Sequence, residues 1–183
     1  MNIGIISKRY AEALYDYAKE LETEDAVYKN MLQLKDVLRN FKELPVILAN
    51  PSLALKERNE LICSLVENPS PAFSRFATLV AKASREEYLL YMAYAYIDIY
   101  RAAKKIVAVK ITTATPLSPS VQQKIESIIE KHDIAAVEVK NIVDETLIGG
   151  FICEADNTRL DASVKKQLDE IKKQLVRTNR KIV

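Results

Sequence analysis

The sequence predicts an α+β protein in which an N-terminal six-helix bundle is followed by a small C-terminal α/β domain. Up to residue 105, apolar residues recur at the spacing of one helix face, and from residue 106 they begin to alternate with polar ones, as in strands. Only three of the 183 residues are glycine, and none lies between Gly4 and Gly149. We therefore expect two domains, residues 1–105 and residues 106–183.

The shortage of glycine excludes loops that wrap phosphate. Dinucleotide and nucleotide fingerprints need glycines where the backbone approaches phosphate, and neither pattern occurs. The single histidine, His132, is predicted in the last turn of a helix, and Cys63 and Cys153 are 90 positions apart, so no zinc site can be assembled. Asp144 and Glu145 are a candidate acid/base pair because they are adjacent carboxylates, but the sequence places no histidine or cysteine near them. We expect no catalytic, cofactor-binding or metal-binding residues, and two buried free thiols.

Composition and charge favour protein partners over nucleic acid. Hydrophobic residues make up 49% and charged residues 28%, while 27 basic and 25 acidic side chains leave a net charge of +2. The longest uncharged apolar run, Tyr88–Ile97, has ten residues, against about 20 for a membrane span. The N-terminus lacks the long apolar core of a signal peptide, and the acidic residues Glu12 and Asp16 disfavour a transit peptide. We therefore expect the protein to remain in the compartment where it is made, with no direct membrane insertion.

Four helices are predicted before residue 70. The first has one apolar face, made of Ile6, Tyr10, Ala13, Leu14, Tyr17 and Leu21. Thr23 is the predicted N-cap of the second, whose stripe is Val27, Met31, Leu34, Leu38 and Phe41. A short piece, 43–49, ends before Asn50-Pro51, where proline disfavours continued helix. The fourth helix covers about 55–66.

The next two helices have the clearest boundaries. Ser70 before Pro71 predicts an N-cap followed by proline at the first helical position, with a helix over 72–83. Ser84 and Glu87 fit a capping box, which opens a long sixth helix.

The second domain is predicted as strand, helix, strand, strand, helix. The first strand is 107–113, and the next two, 136–143 and 147–155, are joined by a tight hairpin turn at Asp144–Thr146. Ser118-Pro119 starts the first helix, with Val121, Ile125, Ile128 and Ile129 inward. Asp161 caps the last helix, which carries Val164, Leu168, Ile171 and Leu175.

Three surface features are each compatible with two interpretations: the tyrosine cluster, the basic C-terminal segment and the apolar surface of the first helix. Five of nine tyrosines, Tyr88, Tyr91, Tyr94, Tyr96 and Tyr100, could stack bases, although a bundle core plus an interface fits the sparse basic residues better. Residues 164–183 hold seven basic and two acidic groups, which suits a solvated helix end or an acidic partner. Ala11, Tyr15 and Ala18 widen the apolar surface of the first helix, either for burial on two sides or for a groove that takes another helix.

Two motifs resemble one known family. Ser7-Lys8-Arg9-Tyr10-Ala11-Glu12-Ala13-Leu14 is similar to the opening of the delta subunit of bacterial F-type ATP synthases, which is related to the mitochondrial oligomycin-sensitivity-conferring protein. Leu147-Ile148-Gly149-Gly150-Phe151-Ile152, followed by Asp161-Ala162-Ser163-Val164, resembles the C-terminal signature of that family. The order of elements agrees over the whole chain.

The resemblance implies a non-catalytic stator subunit without cofactors. Its helical domain would receive the N-terminal helix of an α subunit between the first and fifth helices, which maps to Ile6, Tyr10, Ala13, Tyr17, Phe76, Leu79 and Ala83. The second domain would meet the b subunits of the peripheral stalk, with Gly149, Gly150, Asp161 and Ser163 as structural signature residues. The implied location is peripheral, on the cytoplasmic face of the bacterial inner membrane, with no homo-oligomer expected. The alternative is a soluble nucleic-acid-binding or regulatory adaptor with a helical recognition domain.

Overall fold

The structure is a computed structural model. It describes residues 3–41, 43–50, 53–116, 136–155 and 158–179. The chain divides into two compact units, and each is described by itself below.

The first unit, Met1–Ala103, is helical in its described part. Its α-helices are α1 (Ile3–Glu20), α2 (Glu24–Asn40), α3 (Leu44–Leu48), α4 (Leu55–Ser64), α5 (Pro71–Lys82) and α6 (Leu89–Lys104), with a 3-10 helix at Glu86–Tyr88. The core takes its largest fully buried side chains from several helices, among them Met31, Leu34, Phe73, Met92 and Tyr96. Helical spacing therefore predicted the secondary structure, and it predicted the buried face of α2, where Val27, Met31, Leu34 and Leu38 are buried. On α1 the predicted face is wrong except at Leu14, since the buried residues there are Ser7, Ala11, Leu14 and Ala18.

A buried asparagine fixes the start of α5 against α2. Asn30 is 4% exposed; its Nδ2 donates to the Asn68 carbonyl at 2.8 Å, and its Oδ1 accepts from the Ser70 N–H at 3.0 Å. The Ser70 hydroxyl in turn accepts from the Phe73 N–H at 3.2 Å. This confirms the predicted Ser70 N-cap, and it adds a contact across 40 residues that no local pattern contains.

The predicted capping box at Ser84 is wrong. Ser84 has a φ of +50° and ends α5, since its N–H donates to the Ala81 carbonyl and the Arg85 N–H donates to the Val80 carbonyl. This pair of bonds is the Schellman arrangement of a helix C-terminus. The chain continues as a 3-10 helix whose N-cap, Arg85, makes no side-chain capping bond.

Several residues assigned to apolar helix stripes are exposed, among them Ala13 on α1, Leu168 and Ile171 on the last helix, and Leu21 and Phe41. Leu21 is 44% and Phe41 is 62% exposed. Both lie just past the last residue of their helices, Glu20 and Asn40, where the helical spacing no longer decides which way a side chain points.

The tyrosines of α6 belong partly to the core. Tyr96 packs edge-on against Tyr15 with ring centroids 6.1 Å apart, and Tyr100 stacks on Tyr28 at 4.1 Å. The Tyr100 hydroxyl donates to Asp25 at 2.7 Å. Burial raises the pKa of both the Tyr96 and the Tyr100 hydroxyls. The exposed tyrosines of this helix are Tyr91 and Tyr94.

The second unit, Lys104–Val183, holds a four-stranded mixed sheet. Its described elements are β1 (Ile106–Thr113), β2 (Ala136–Val143), β3 (Gly150–Ala155), β4 (Thr158–Ser163) and a helix, α7 (Val164–Asn179). The strand order is β2-β1-β3-β4. β1 is parallel to β2 and antiparallel to β3, and β3 is antiparallel to β4. Val109 and Ile111 are buried while Lys110 is exposed, which confirms the predicted alternation.

Three predictions for this unit are wrong. β2 and β3 are not a hairpin, because β1 lies between them and the Asp144–Thr146 turn carries the chain past it. The predicted strand 147–155 starts only at Gly150, and β4 was not predicted. Asp161 lies inside β4, and Ser163 caps the last helix instead. The predicted helix after Ser118 and its His132 lie outside the described residues.

Cys63 and Cys153 are free, as predicted, but they are half-buried rather than buried. Burial raises the pKa of both thiols.

Candidate functional site

A largely apolar groove of about 630 Å³ lies between α1 and α5. The residues that line it are Tyr10, Ala13, Leu14 and Tyr17 from α1, Ala72, Ser74, Arg75, Phe76, Thr78, Leu79 and Lys82 from α5, and Asn59 from α4. Because four α1 residues face it at helical spacing, the groove runs along about two turns of that helix.

Five of the seven partner-binding residues predicted from the resemblance line this groove: Tyr10, Ala13, Tyr17, Phe76 and Leu79. The other two do not line it. Ile6 is half-buried one turn before Tyr10, and Ala83 is exposed as the C-cap of α5. Whether any of the seven binds a partner stays a prediction.

The groove has a buried floor and open edges. Leu14, Ala72 and Phe76 are at most 5% exposed and form its floor. Leu79 is 52% exposed although it is a large apolar residue. If a partner covers this leucine, apolar surface is removed from water, which favours binding. The exposed leucine beside the buried Phe76 therefore makes this surface suited to an apolar helix.

Two arginines hold the groove tyrosines. Arg75 Nη1 donates to the Tyr17 hydroxyl at 3.0 Å, and its guanidinium carbon lies 4.8 Å from the centre of the Tyr17 ring. Arg85 makes the same pair of contacts with Tyr10, at 3.0 Å and 5.3 Å. These are cation–π contacts reinforced by hydrogen bonds.

The sequence analysis missed both arginines. Arg75 and Tyr17 are 58 residues apart, and Arg85 and Tyr10 are 75 residues apart, so no local spacing joins them. The available signal was the resemblance itself, which placed α1 and α5 side by side and left unassigned the charged residues on α5 and just after it.

The signature glycines, Gly149 and Gly150, lie where the start of β3 approaches the end of β4 closely. Gly150 opens β3 with a φ of +78°, and a Cβ at this position would overlap the Ala162 carbonyl oxygen of the neighbouring strand. Gly149 has no such φ, and its carbonyl accepts from the Val164 N–H at 3.0 Å. Only Gly150 requires the missing side chain, since positive φ and close approach coincide there.

Asp161 and Ser163 form hydrogen bonds at the nearby junction of β4 and α7. Asp161 Oδ1 accepts from the Ser163 N–H at 3.1 Å, and the Ser163 hydroxyl accepts from the Lys166 N–H at 3.2 Å as the N-cap of α7. Hydrogen bonds from the side chain and backbone of Ser163 lower the pKa of Asp161. These geometries describe a turn that starts a helix rather than a ligand cradle.

Asp144 is also held by a turn. Its Oδ1 accepts from the Thr146 N–H at 2.9 Å and from the Thr146 hydroxyl at 2.7 Å, which lowers its pKa. Among the residues that the structure describes, no group of three or more His, Cys, Asp or Glu side chains could hold a metal ion. Within the same residues, no helix is both long enough and apolar enough to cross a membrane.

Helices with an apolar groove, followed in the chain by a mixed sheet whose signature residues build a turn, are the features expected of the adaptor class of proteins that the two sequence motifs predict. The family model "ATP synthase delta (OSCP) subunit" matches residues 6–175, so the chain belongs to this family.

Relatives and a solved structure agree with this assignment. The chain is 37% identical to the ATP synthase subunit delta of Bacteroides fragilis and 40% identical to that of Phocaeicola vulgatus, in both cases over the full length of both chains. A chain of the Toxoplasma gondii mitochondrial ATP synthase hexamer has the same fold, with a TM-score of 0.67, 22% identity, and coverage of 93% of this chain and 97% of that one. The resemblance seen in the two sequence motifs is confirmed.

Proposed function

We propose that the protein is the non-catalytic stator link of an F-type ATP synthase, which connects the catalytic head to the peripheral stalk and resists torque during proton-driven ATP synthesis. The observation that carries this proposal is the apolar groove between α1 and α5 in a chain of the delta subunit family. In this proposal the groove is a surface that holds another chain.

The groove is proposed to take the N-terminal helix of an α subunit. A helix is about 10 Å across with its side chains, and the exposed Leu79, the buried Phe76 and the two tyrosines offer apolar and aromatic contacts along it. Ile6 and Ala83 would extend the contact beyond the ends of the groove. In this proposal the first unit acts as a six-helix bundle that keeps α1 and α5 at a fixed distance.

The second unit is proposed to meet the b subunits. On α7, Leu168 and Ile171 are three residues apart, on one helix face, and both are more than half exposed. Exposed lysines, among them Lys165 and Lys172, accompany them. An apolar stripe with basic neighbours suits an acidic amphipathic helix of the stalk. The complex would then hold this chain peripherally on the cytoplasmic face of the bacterial inner membrane.

The mechanism is mechanical. Rotation of the central shaft exerts torque on the catalytic head, and the stator must keep the head from rotating without dissociating from it. Such a link needs slow dissociation, which a few buried apolar and aromatic anchors provide. The chain's own residues supply binding and stiffness, while the chemistry takes place in other subunits.

The first test is an aspartate placed in the groove. Ala13→Asp or Tyr10→Asp would bury a carboxylate against the docked helix, so we expect the affinity for a peptide of the α-subunit N-terminal segment to fall by more than about tenfold. Titration calorimetry measures the affinity, and circular dichroism checks the fold.

Ala26→Asp is the matched control, because Ala26 is exposed in the first turn of α2, where a carboxylate is tolerated. Unchanged affinity in a folded Ala13→Asp protein would remove the groove from the proposal. Failure of the wild-type chain to co-purify with the α and β subunits would overturn the stator function itself.

A further inference from the structure

We infer that Arg75 and Arg85 are carboxylate receptors at the two ends of the α1–α5 groove, so that the groove selects an amphipathic helix with acidic side chains about two turns apart. This inference rests on the proposed function and adds the charge pattern of the partner. It starts from the charges of the groove. Among the described residues that line it, the charged ones are Arg75 and Lys82, and both are basic. Arg85 is not a lining residue, but it contacts Tyr10, which lines the groove.

The spacing follows from α1. Tyr10 and Tyr17 are seven residues apart, which is two helical turns or about 10 Å. Each tyrosine hydroxyl lies 3.0 Å from one guanidinium, that of Arg85 or that of Arg75. The two guanidinium groups therefore mark points separated by roughly the same two turns. A guest helix that lies along α1 would bring residues i and i+7 to these points.

The arginines have donors to spare. A guanidinium carries five N–H donors, and in the described part of the chain each of these two donates to one tyrosine hydroxyl. A carboxylate is a stronger acceptor than a phenol and can take two parallel hydrogen bonds from arginine. A guest carboxylate can thus bind the unused edge of the guanidinium, while the tyrosine ring stays beneath it as an apolar wall.

The tyrosines also orient the receptors. Arg75 is exposed and would otherwise sample many rotamers, but its guanidinium lies over the Tyr17 ring at 4.8 Å. This contact limits the side-chain entropy that is lost when a carboxylate binds. Lysine could not reproduce the arrangement, because it lacks the planar fork that stacks and donates in pairs.

The test uses two synthetic peptides of about 20 residues, long enough to form helix on binding. Both have the same leucine-rich apolar face. One carries glutamates at two flanking positions i and i+7, and the other carries glutamines there. We expect the wild-type chain to bind the glutamate peptide about ten times more tightly at low salt, with most of the difference lost in 1 M salt.

Variants identify the receptors. Arg75→Gln and Arg85→Gln should each reduce the preference for glutamate about threefold, and the double variant should abolish it. Lys29→Gln removes the same charge from an exposed position on α2 and should leave the preference unchanged. Tyr17→Phe keeps the ring and removes the competing acceptor, so it should preserve or increase the preference for glutamate.

The outcomes separate the two proposals. Equal affinity of the wild-type chain for both peptides would overturn the carboxylate receptors and leave the groove as an apolar site. Absence of binding by either peptide would overturn both the receptors and the helix-binding groove. A preference for glutamate that survives in the double variant would also overturn the inference.

Discussion

In the described part of the chain, three residues with side chains adopt a backbone conformation that usually belongs to glycine. Glu22, Ser84 and Lys105 have φ values of +53°, +50° and +52°. Each follows directly on the end of a helix or its C-cap, where left-handed geometry lets the last carbonyls find N–H donors. For an L-residue this conformation costs roughly 1–2 kcal/mol. The glycine-poor sequence therefore retains ordinary helix ends at a small cost in stability.

Glu22→Gly should stabilise the helical unit by about 0.5–1 kcal/mol. The Thr23 N–H donates to the Ala18 carbonyl at 2.9 Å with Glu22 in between at positive φ, and glycine adopts this conformation without strain. Urea unfolding followed by circular dichroism measures the change. Lys29→Gly, an exposed position inside α2, is the control and should cost about 1 kcal/mol. Destabilisation by both changes would contradict the strain argument.

The two signature glycines should differ when each is replaced by alanine. Gly150→Ala places a Cβ against the Ala162 carbonyl at positive φ, and we expect a loss of more than about 2 kcal/mol from the second unit. Gly149→Ala meets only a side-chain methyl of Val164 at 3.3 Å, which can shift. Thermal unfolding of the two variants measures the contrast, and equal losses would show that the approach of β4 to Gly150 is not limiting.

At the scale of the elements, a buried ion pair joins α4 to the 3-10 helix before α6. Arg58 Nη1 lies 2.8 Å from Glu86 Oε1, and Glu86 is 1% exposed. Glu86 Oε2 and Arg58 Nε are both buried and have no hydrogen-bond partner among the residues that the structure describes. Arg58 Nη1 also donates to the Ser84 hydroxyl at 3.5 Å, whereas Arg58 is the charged partner of Glu86 among the residues that the structure describes. Glu86 therefore loses its counterion if Arg58 is removed.

Breaking this pair on one side should cost more than replacing it on both. Glu86→Leu or Arg58→Met alone leaves a buried charge without its counterion, with an expected loss of about 3–5 kcal/mol. The double variant exchanges two charges for apolar side chains of similar size, so its loss should be clearly smaller than either single loss. Chemical unfolding of all three variants measures this. If the loss in the double variant equals the sum of the two single losses, the attraction between Arg58 and Glu86 does not offset the cost of burying their charges.

For the whole molecule, both walls of the groove belong to the first unit, Met1–Ala103. A fragment of residues 1–105 should therefore fold by itself and bind an α-subunit N-terminal peptide within about twofold of the full chain. A fragment that ends at residue 88 lacks Met92 and Tyr96, both fully buried, and should not unfold cooperatively. Circular dichroism and calorimetry test both. A longer fragment that folds but does not bind would place part of the groove's function in the second unit.

Most helices, the first strand and the family could be predicted from residues that lie close together in the chain. Helical spacing predicted α1 to α6, alternation predicted β1, Ser70 predicted a real N-cap, and two short motifs identified the delta subunit family. These features depend on residues a few positions apart, whose geometry follows from the periodicity of a helix or a strand.

Contacts between residues far apart in the chain became known from the folded structure alone. It placed β1 between β2 and β3, moved the helix cap from Asp161 to Ser163, and brought Arg75 and Arg85 onto Tyr17 and Tyr10. The physical reason is that these contacts join positions far apart in the chain, or depend on where β4 ends and the helix begins, which makes Ser163 rather than Asp161 the residue directly before Val164. Packing settles such choices, and no local pattern records them.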